Sequence, residues 1–109
     1  MQEASTVHRR PTTDKAAISL TIRALQQAGH KLVLVDDGGE QVKVRTLQKA
    51  LDAITAVDSA HLFVSLPDRP GTTWVWFVLG NEPEEVIADH GLSLSPVIDP
   101  LLGSWLDGE

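Results

Sequence analysis

The run Trp74-Val-Trp-Phe-Val-Leu79 constrains the fold more than any other stretch of the chain, because all six of its residues are apolar and either large or β-branched. That is the composition of a β-strand that is covered on both faces or has a second task. At a period of two, Trp74, Trp76 and Val78 point one way, and Val75, Phe77 and Leu79 the other. One face must meet the core. The opposite face is apolar too, so either another element covers it or it touches something outside the domain.

Immediately after the strand the residues signal a helix start. Gly80 stops the strand, and Asn81 is an N-cap whose side chain can accept from the backbone N–H of Glu84, with Glu84 reaching back in a capping box. Pro83 needs no donor in a first turn, and Glu82, Glu84 and Glu85 suit the positive end of a helix dipole. A short helix is therefore predicted through Val86 and Ile87 to about Gly91.

A chain of 109 residues makes one domain with a single small core. Residues 1–11 are polar, include Arg9-Arg10-Pro11 and are expected to be a disordered tail, leaving 12–109 as the domain. From Thr12 or Thr13 a helix is predicted, with Ala17, Ile18, Thr21, Ile22, Leu25 and Ala28 on one stripe and Gly29 as its stop. Lys31 to Asp36 reads as a strand with Leu32 and Leu34 on one face and Val33 and Val35 on the other. Asp37-Gly38-Gly39 is a tight turn, and Gln41 to Arg45 the antiparallel partner. A second amphipathic helix from about Thr46 carries Leu47, Ala50, Leu51, Ile54 and Val57.

Ala60 to Leu66 is a third strand, joined to the Trp strand by Pro67-Asp68-Arg69-Pro70-Gly71. Two registers are open. Pairing Ser65 with Thr72 sets Phe63 opposite Trp74 and His61 opposite Trp76, and a slip of one residue sets Val64 beside Trp74 instead. Leu92-Ser-Leu94-Ser alternates like an extended segment. Pro96 to Leu106 carries Val97, Ile98, Leu101, Leu102, Trp105 and Leu106 at helical spacing, with Asp99-Pro100 as N-cap and first-turn proline. The order α-β-β-α-β-β-α-α predicts an α+β domain of about four mainly antiparallel strands with helices mostly on one sheet face. The other face would then show Trp74, Trp76 or their neighbours, unless the terminal helix covers them.

Composition excludes several functions. Without cysteine there is no disulfide framework, thiol chemistry or Cys-based zinc site, which suits a reducing cytoplasm. Residues 1–11 have no secretory core, and no apolar run reaches membrane-spanning length, so a soluble cytoplasmic protein is expected. The net charge of -6 is concentrated at one end: residues 1–80 hold nine Lys/Arg against eight Asp/Glu, whereas residues 81–109 hold seven Asp/Glu and no Lys or Arg. No basic stripe is available to release counterions from phosphates, so direct nucleic-acid binding is not expected. The acidic quarter would steer basic partners, or serves solubility and capping alone.

Candidate chemistry is sparse. Glu85 and Asp89 would share a face of the predicted helix, with Glu84 and His90 beside them, a set that suits a divalent cation or equally a solvated surface. Asp36-Asp37-Gly38-Gly39 lacks EF-hand spacing, and His8, His30, His61 and His90 are scattered. No nucleophile elbow or phosphate loop is present. No catalytic, metal or cofactor residue is assigned. Phe63, Trp74 and Trp76, together with Glu84, Glu85, Asp89 and His90, form the candidate surface for a protein partner or for a homodimer. A second reading is a small-molecule binder or enzyme with a pocket between sheet and terminal helix, floored by Trp74 or Trp76 and rimmed by His61 or His90. A third is an acidic decoy imitating nucleic-acid charge.

The segment W-V-W-F-V-L-G-N-E-P-E-E-V-I-A-D-H, Trp74 to His90, resembles a signature of small uncharacterised bacterial proteins in which an aromatic strand runs into G-N-x-P-x-E-V-I-x-D. The resemblance covers Phe63 to Leu94. It implies a bacterial source and brings no activity, cofactor or partner with it.

Overall fold

The computed structural model describes residues 10–107, and most of the expected tail, residues 1–9, lies outside the described residues. The packed chain begins earlier than Thr12: Pro11 is buried and the Arg10 Nε donates to the Trp105 carbonyl at 3.1 Å. Helix α1, Asp14–Gln27, starts where Thr13 accepts from the Ala16 N–H at 3.0 Å, and Gly29 ends it with φ of +97°, a conformation glycine adopts without steric cost. Its stripe of Ala17, Ile18, Thr21, Ile22 and Leu25 is buried, and Ala28, expected on that stripe, is exposed at the C-cap. Helix α2, Leu47–Thr55, begins in the same way, with Thr46 accepting from Lys49.

Five antiparallel strands form one sheet: β1 Leu32–Asp36, β2 Gln41–Lys43, β3 Ser59–Ser65, β4 Thr72–Val78 and β5 Ile87–His90, in the order β2-β1-β3-β4-β5. The class is α+β, with one strand more than the sequence pattern predicts. Of the two registers for β3 and β4, the structure has the first: Ser65 opposes Thr72, Phe63 opposes Trp74 and His61 opposes Trp76. In β1 a register shift between Leu32 and Leu34 breaks the expected alternation, because a bulge inserts one residue against a single partner. Leu32 pairs with buried Val64 and Val35 with buried Leu62, so both serve the core, while Leu34 pairs with Phe63 on the other face.

The predicted helix from Asn81 is not formed. Pro83–Glu85 make a single 3-10 turn whose N-cap residue is Glu82, without a side-chain cap bond, and the chain then extends as β5. The edge of β4 explains the change. Val78 donates to the Val86 carbonyl at 2.8 Å and Gly91 to the Trp74 carbonyl at 3.0 Å, so β5 pairs a strand edge that a helix would leave bare. Leu92–Leu94, expected to be extended, is a second 3-10 turn leading into α3, Ser95–Asp107. That helix starts before the expected Asp99-Pro100 and holds Pro100 inside it. Starting there buries Leu94 and Ile98 completely, an apolar gain that offsets the one backbone bond Pro100 cannot make.

Helices and sheet share one core. The inward face of the sheet, with Val35, Ala60, Leu62, Val64, Val75 and Phe77, meets Ile18, Ile22, Leu25, Leu51 and Ile54 of α1 and α2. Leu94, Ile98 and Trp105 complete the core, and α3 lies against α1. Trp105 is only 1% exposed. The terminal helix therefore lies in the helical layer and does not cover the Trp74 and Trp76 face.

Candidate interaction surface

Pairing decides which side chains share the face away from the helices. Residues directly opposite in an antiparallel ladder point the same way. One row across the sheet is Lys43, Leu34, Phe63 and Trp74; the next is Gln41, Asp36, His61, Trp76 and Asp89. The centre of this face is aromatic. The His61 ring stacks on Trp76 at a centroid distance of 5.5 Å with 2° between planes. It lies 5.7 Å from Trp74, tilted by 58°, and 6.4 Å from Phe63. The four rings are thus one continuous patch, with Trp76 37% exposed while Phe63, His61 and Trp74 are half-buried against each other.

The charges on this face sit mainly toward its edges. Lys43 on edge strand β2 has no side-chain partner among the described residues. Asp89 on the opposite edge strand accepts at Oδ1 from the His90 N–H at 2.8 Å. Asp36, one strand inward, is engaged locally: it accepts from the Gly38 N–H at 2.8 Å and from Gln41 Nε2 at 3.2 Å. The face therefore has an aromatic centre on β3 and β4, Lys43 at one edge with Asp36 one strand inward of it, and Asp89 at the other edge.

Of the residues singled out in the sequence, Phe63, Trp74, Trp76 and Asp89 lie on this face, and Glu84, Glu85 and His90 do not join them. Glu84 sits 3.8 Å from Arg10 Nη1. Glu85 is exposed on the 3-10 turn. His90 pairs with Val75 on the core side, donates from Nδ1 to the Gly91 carbonyl at 2.8 Å and brings Nε2 to 3.7 Å from Asp99 Oδ1. The shared helical face of Glu85 and Asp89 is lost with the helix, and among the described residues no three His, Asp or Glu side chains are grouped to hold a metal ion. Nor do these carboxylates line one face as a decoy requires, since Asp89 is on the sheet and Glu84 meets Arg10 beside the helical layer. His61 is the member missing from the sequence-based set. The first register, with its strict alternation along β3, is the signal that places it there.

Both indoles lie on the sheet face opposite α3, so among the described residues neither floors the space between sheet and terminal helix. Two other clefts open at one end of the sheet. One of about 520 Å³ is lined by Gln26, Gly29, His30, Lys31, Leu32 and Arg45. The other, about 250 Å³, has His30, Pro67, Asp68, Arg69, Ser93 and Val97 among its lining residues. Among the described residues no helix is long and apolar enough to cross a membrane. Comparison with family models, with curated proteins and with solved structures finds no match for this chain.

Proposed function

We propose that this chain is a small interaction protein without catalysis of its own, and that its open sheet face docks on a second copy of itself. The observation that carries the reading is the patch of His61, Phe63, Trp74 and Trp76 on a sheet face that no helix covers among the described residues. Aromatic side chains on a rigid sheet bring large contact area with little rotamer freedom to lose, which is why they dominate the energetics of interfaces.

Charge placement favours a second copy and sets its orientation. A two-fold axis running along the strands lays β2 of one copy over β5 of the other, which brings Lys43 toward the partner's Asp89 twice. An axis running across the strands would set each edge over its own equivalent and pair like charges. Five strand widths of about 4.8 Å and a strand length of roughly 17 Å give a face on the order of 400 Å² in projection. Side-chain relief raises this toward the roughly 600 Å² per partner at the low end of specific interfaces, so a dimer of micromolar affinity is expected.

Sedimentation velocity over a wide concentration range tests this. The wild-type chain is expected to pass from monomer to dimer, and Trp76→Ala to remain monomeric with an unchanged far-UV circular dichroism spectrum. A chain that stays monomeric throughout, or a dimer indifferent to Trp76→Ala, would overturn the second-copy reading. A photo-crosslinker at position 76 that captures a different protein, while one at exposed Leu106 does not, would keep the docking face and replace its occupant.

A further inference from the structure

The cleft of about 520 Å³ at the end of α1 lies outside the aromatic face and has its own chemistry. At its back is His30, whose exposure is only 6%. The residue is held from two sides. Its backbone N–H closes the end of α1 on the Leu25 carbonyl at 3.0 Å, and Nδ1 lies 2.8 Å from the Ser65 carbonyl. A carbonyl only accepts, so Nδ1 carries the proton there, and Nε2 is left as the atom that can change its role. Nε2 has no partner among the described residues. Ser65 secures the neighbouring residue as well, its Oγ accepting from the Lys31 N–H at 2.9 Å.

Two cations line the same cleft. Lys31 and Arg45 both line the cleft, both are exposed, and neither side chain meets a carboxylate among the described residues. Among the described residues no Asp or Glu lines the cleft, in a chain whose net charge is -6. The negative end of α1 accounts for a lysine at position 31. It accounts neither for Arg45, which arrives from the connection between β2 and α2, nor for a nine-tenths buried histidine with an unpartnered ring nitrogen. The remaining lining is Gln26, Gly29 and Leu32, an amide, a bare backbone and an apolar wall.

The geometry points to a binding site for a small oxyanion, a phosphate monoester or a dicarboxylate, held by Arg45, Lys31 and His30. The Arg45 guanidinium offers a planar fork that matches two oxygens of one acidic group, and the Lys31 ammonium a point charge. His30, with Nδ1 engaged by Ser65, offers Nε2 as a third contact. The volume suits a small metabolite. The site is independent of the aromatic face, which lies on the other side of the sheet.

Side-chain NMR of the histidines tests it, with sodium phosphate and sodium succinate as probes and sodium chloride at matched pH and ionic strength as control. The expected result is a saturable shift of the His30 ring signals that chloride does not reproduce, with the His61 signals unmoved. Arg45→Gln and Lys31→Gln, both at exposed positions, are expected to weaken binding roughly tenfold each, the loss of a charge-assisted hydrogen bond. A response to phosphate alone narrows the ligand to phosphate esters, and to succinate alone to dicarboxylates. No saturable shift with either probe, an equal shift in chloride, or undiminished binding in both variants would overturn the site.

Discussion

Trp105 and Trp76 are the same residue in opposite service. Trp105 is 1% exposed in the helical core, so Trp105→Ala removes a large buried side chain and leaves a cavity, at a cost of about 3–5 kcal/mol. Trp76 is 37% exposed on the sheet face, where its stability contribution is a cross-strand pair, and Trp76→Ala is expected to cost about 1 kcal/mol in the monomer. Urea unfolding of the two variants measures the contrast. At the hairpin tip, Asp37 Oδ1 accepts from the Glu40 N–H at 2.7 Å and the Gly39 N–H at 2.8 Å. These bonds, that to Glu40 first, hold its carboxyl below the ordinary carboxylate range. A carboxyl depressed in this way favours the folded turn above its unfolded titration point, and that preference is lost as pH falls through the folded value. A carboxyl carbon titration by NMR is expected to place Asp37 below the ordinary carboxylate range, with the turn loosening only in strongly acid solution.

Helix caps and the last strand act at the scale of elements. Thr13 and Thr46 each accept a backbone N–H at a helix start, so Thr13→Ala or Thr46→Ala is expected to cost about 1 kcal/mol. Asn81 caps nothing, and Asn81→Ala should be close to neutral in the same unfolding experiment. A sizeable loss at Asn81 would mean that the predicted helix forms after all. Gly91 closes β5, where a Cβ would run into the Thr73 hydroxyl, itself buried on the core side of β4. Gly91→Ala is therefore expected to destabilise by about 1–3 kcal/mol, as overpacking does, with faster amide exchange at Val78 and Gly91, the residues that pair β4 with the last strand.

At the scale of the whole molecule, the described helices leave one sheet face uncovered, and on the proposed dimer the charges at its edges would set how two copies meet. Lys43→Glu or Asp89→Lys alone should weaken self-association several-fold, and the double exchange Lys43→Glu with Asp89→Lys should restore it, as read by sedimentation. Failure of the rescue would reject the axis along the strands even where a dimer forms. Much of the architecture is legible from local patterns: α1 and α2 come from apolar residues at i, i+3 and i+4 after a threonine cap, and the Trp strand from its own composition. The acidic stretch after Gly80 misleads because its helix signals, a cap residue, a proline and three glutamates, are local, whereas the unpaired edge of β4 that recruits it as β5 exists only once the sheet has formed. The same limit applies to the surface. Alternation determined that Trp74 and Trp76 share a face, but which face stays open depended on where α3 came to rest. Lys43, His61 and Asp89 joined that face through pairing across separate strands, because periodicity acts along a single segment and burial is shared among all of them.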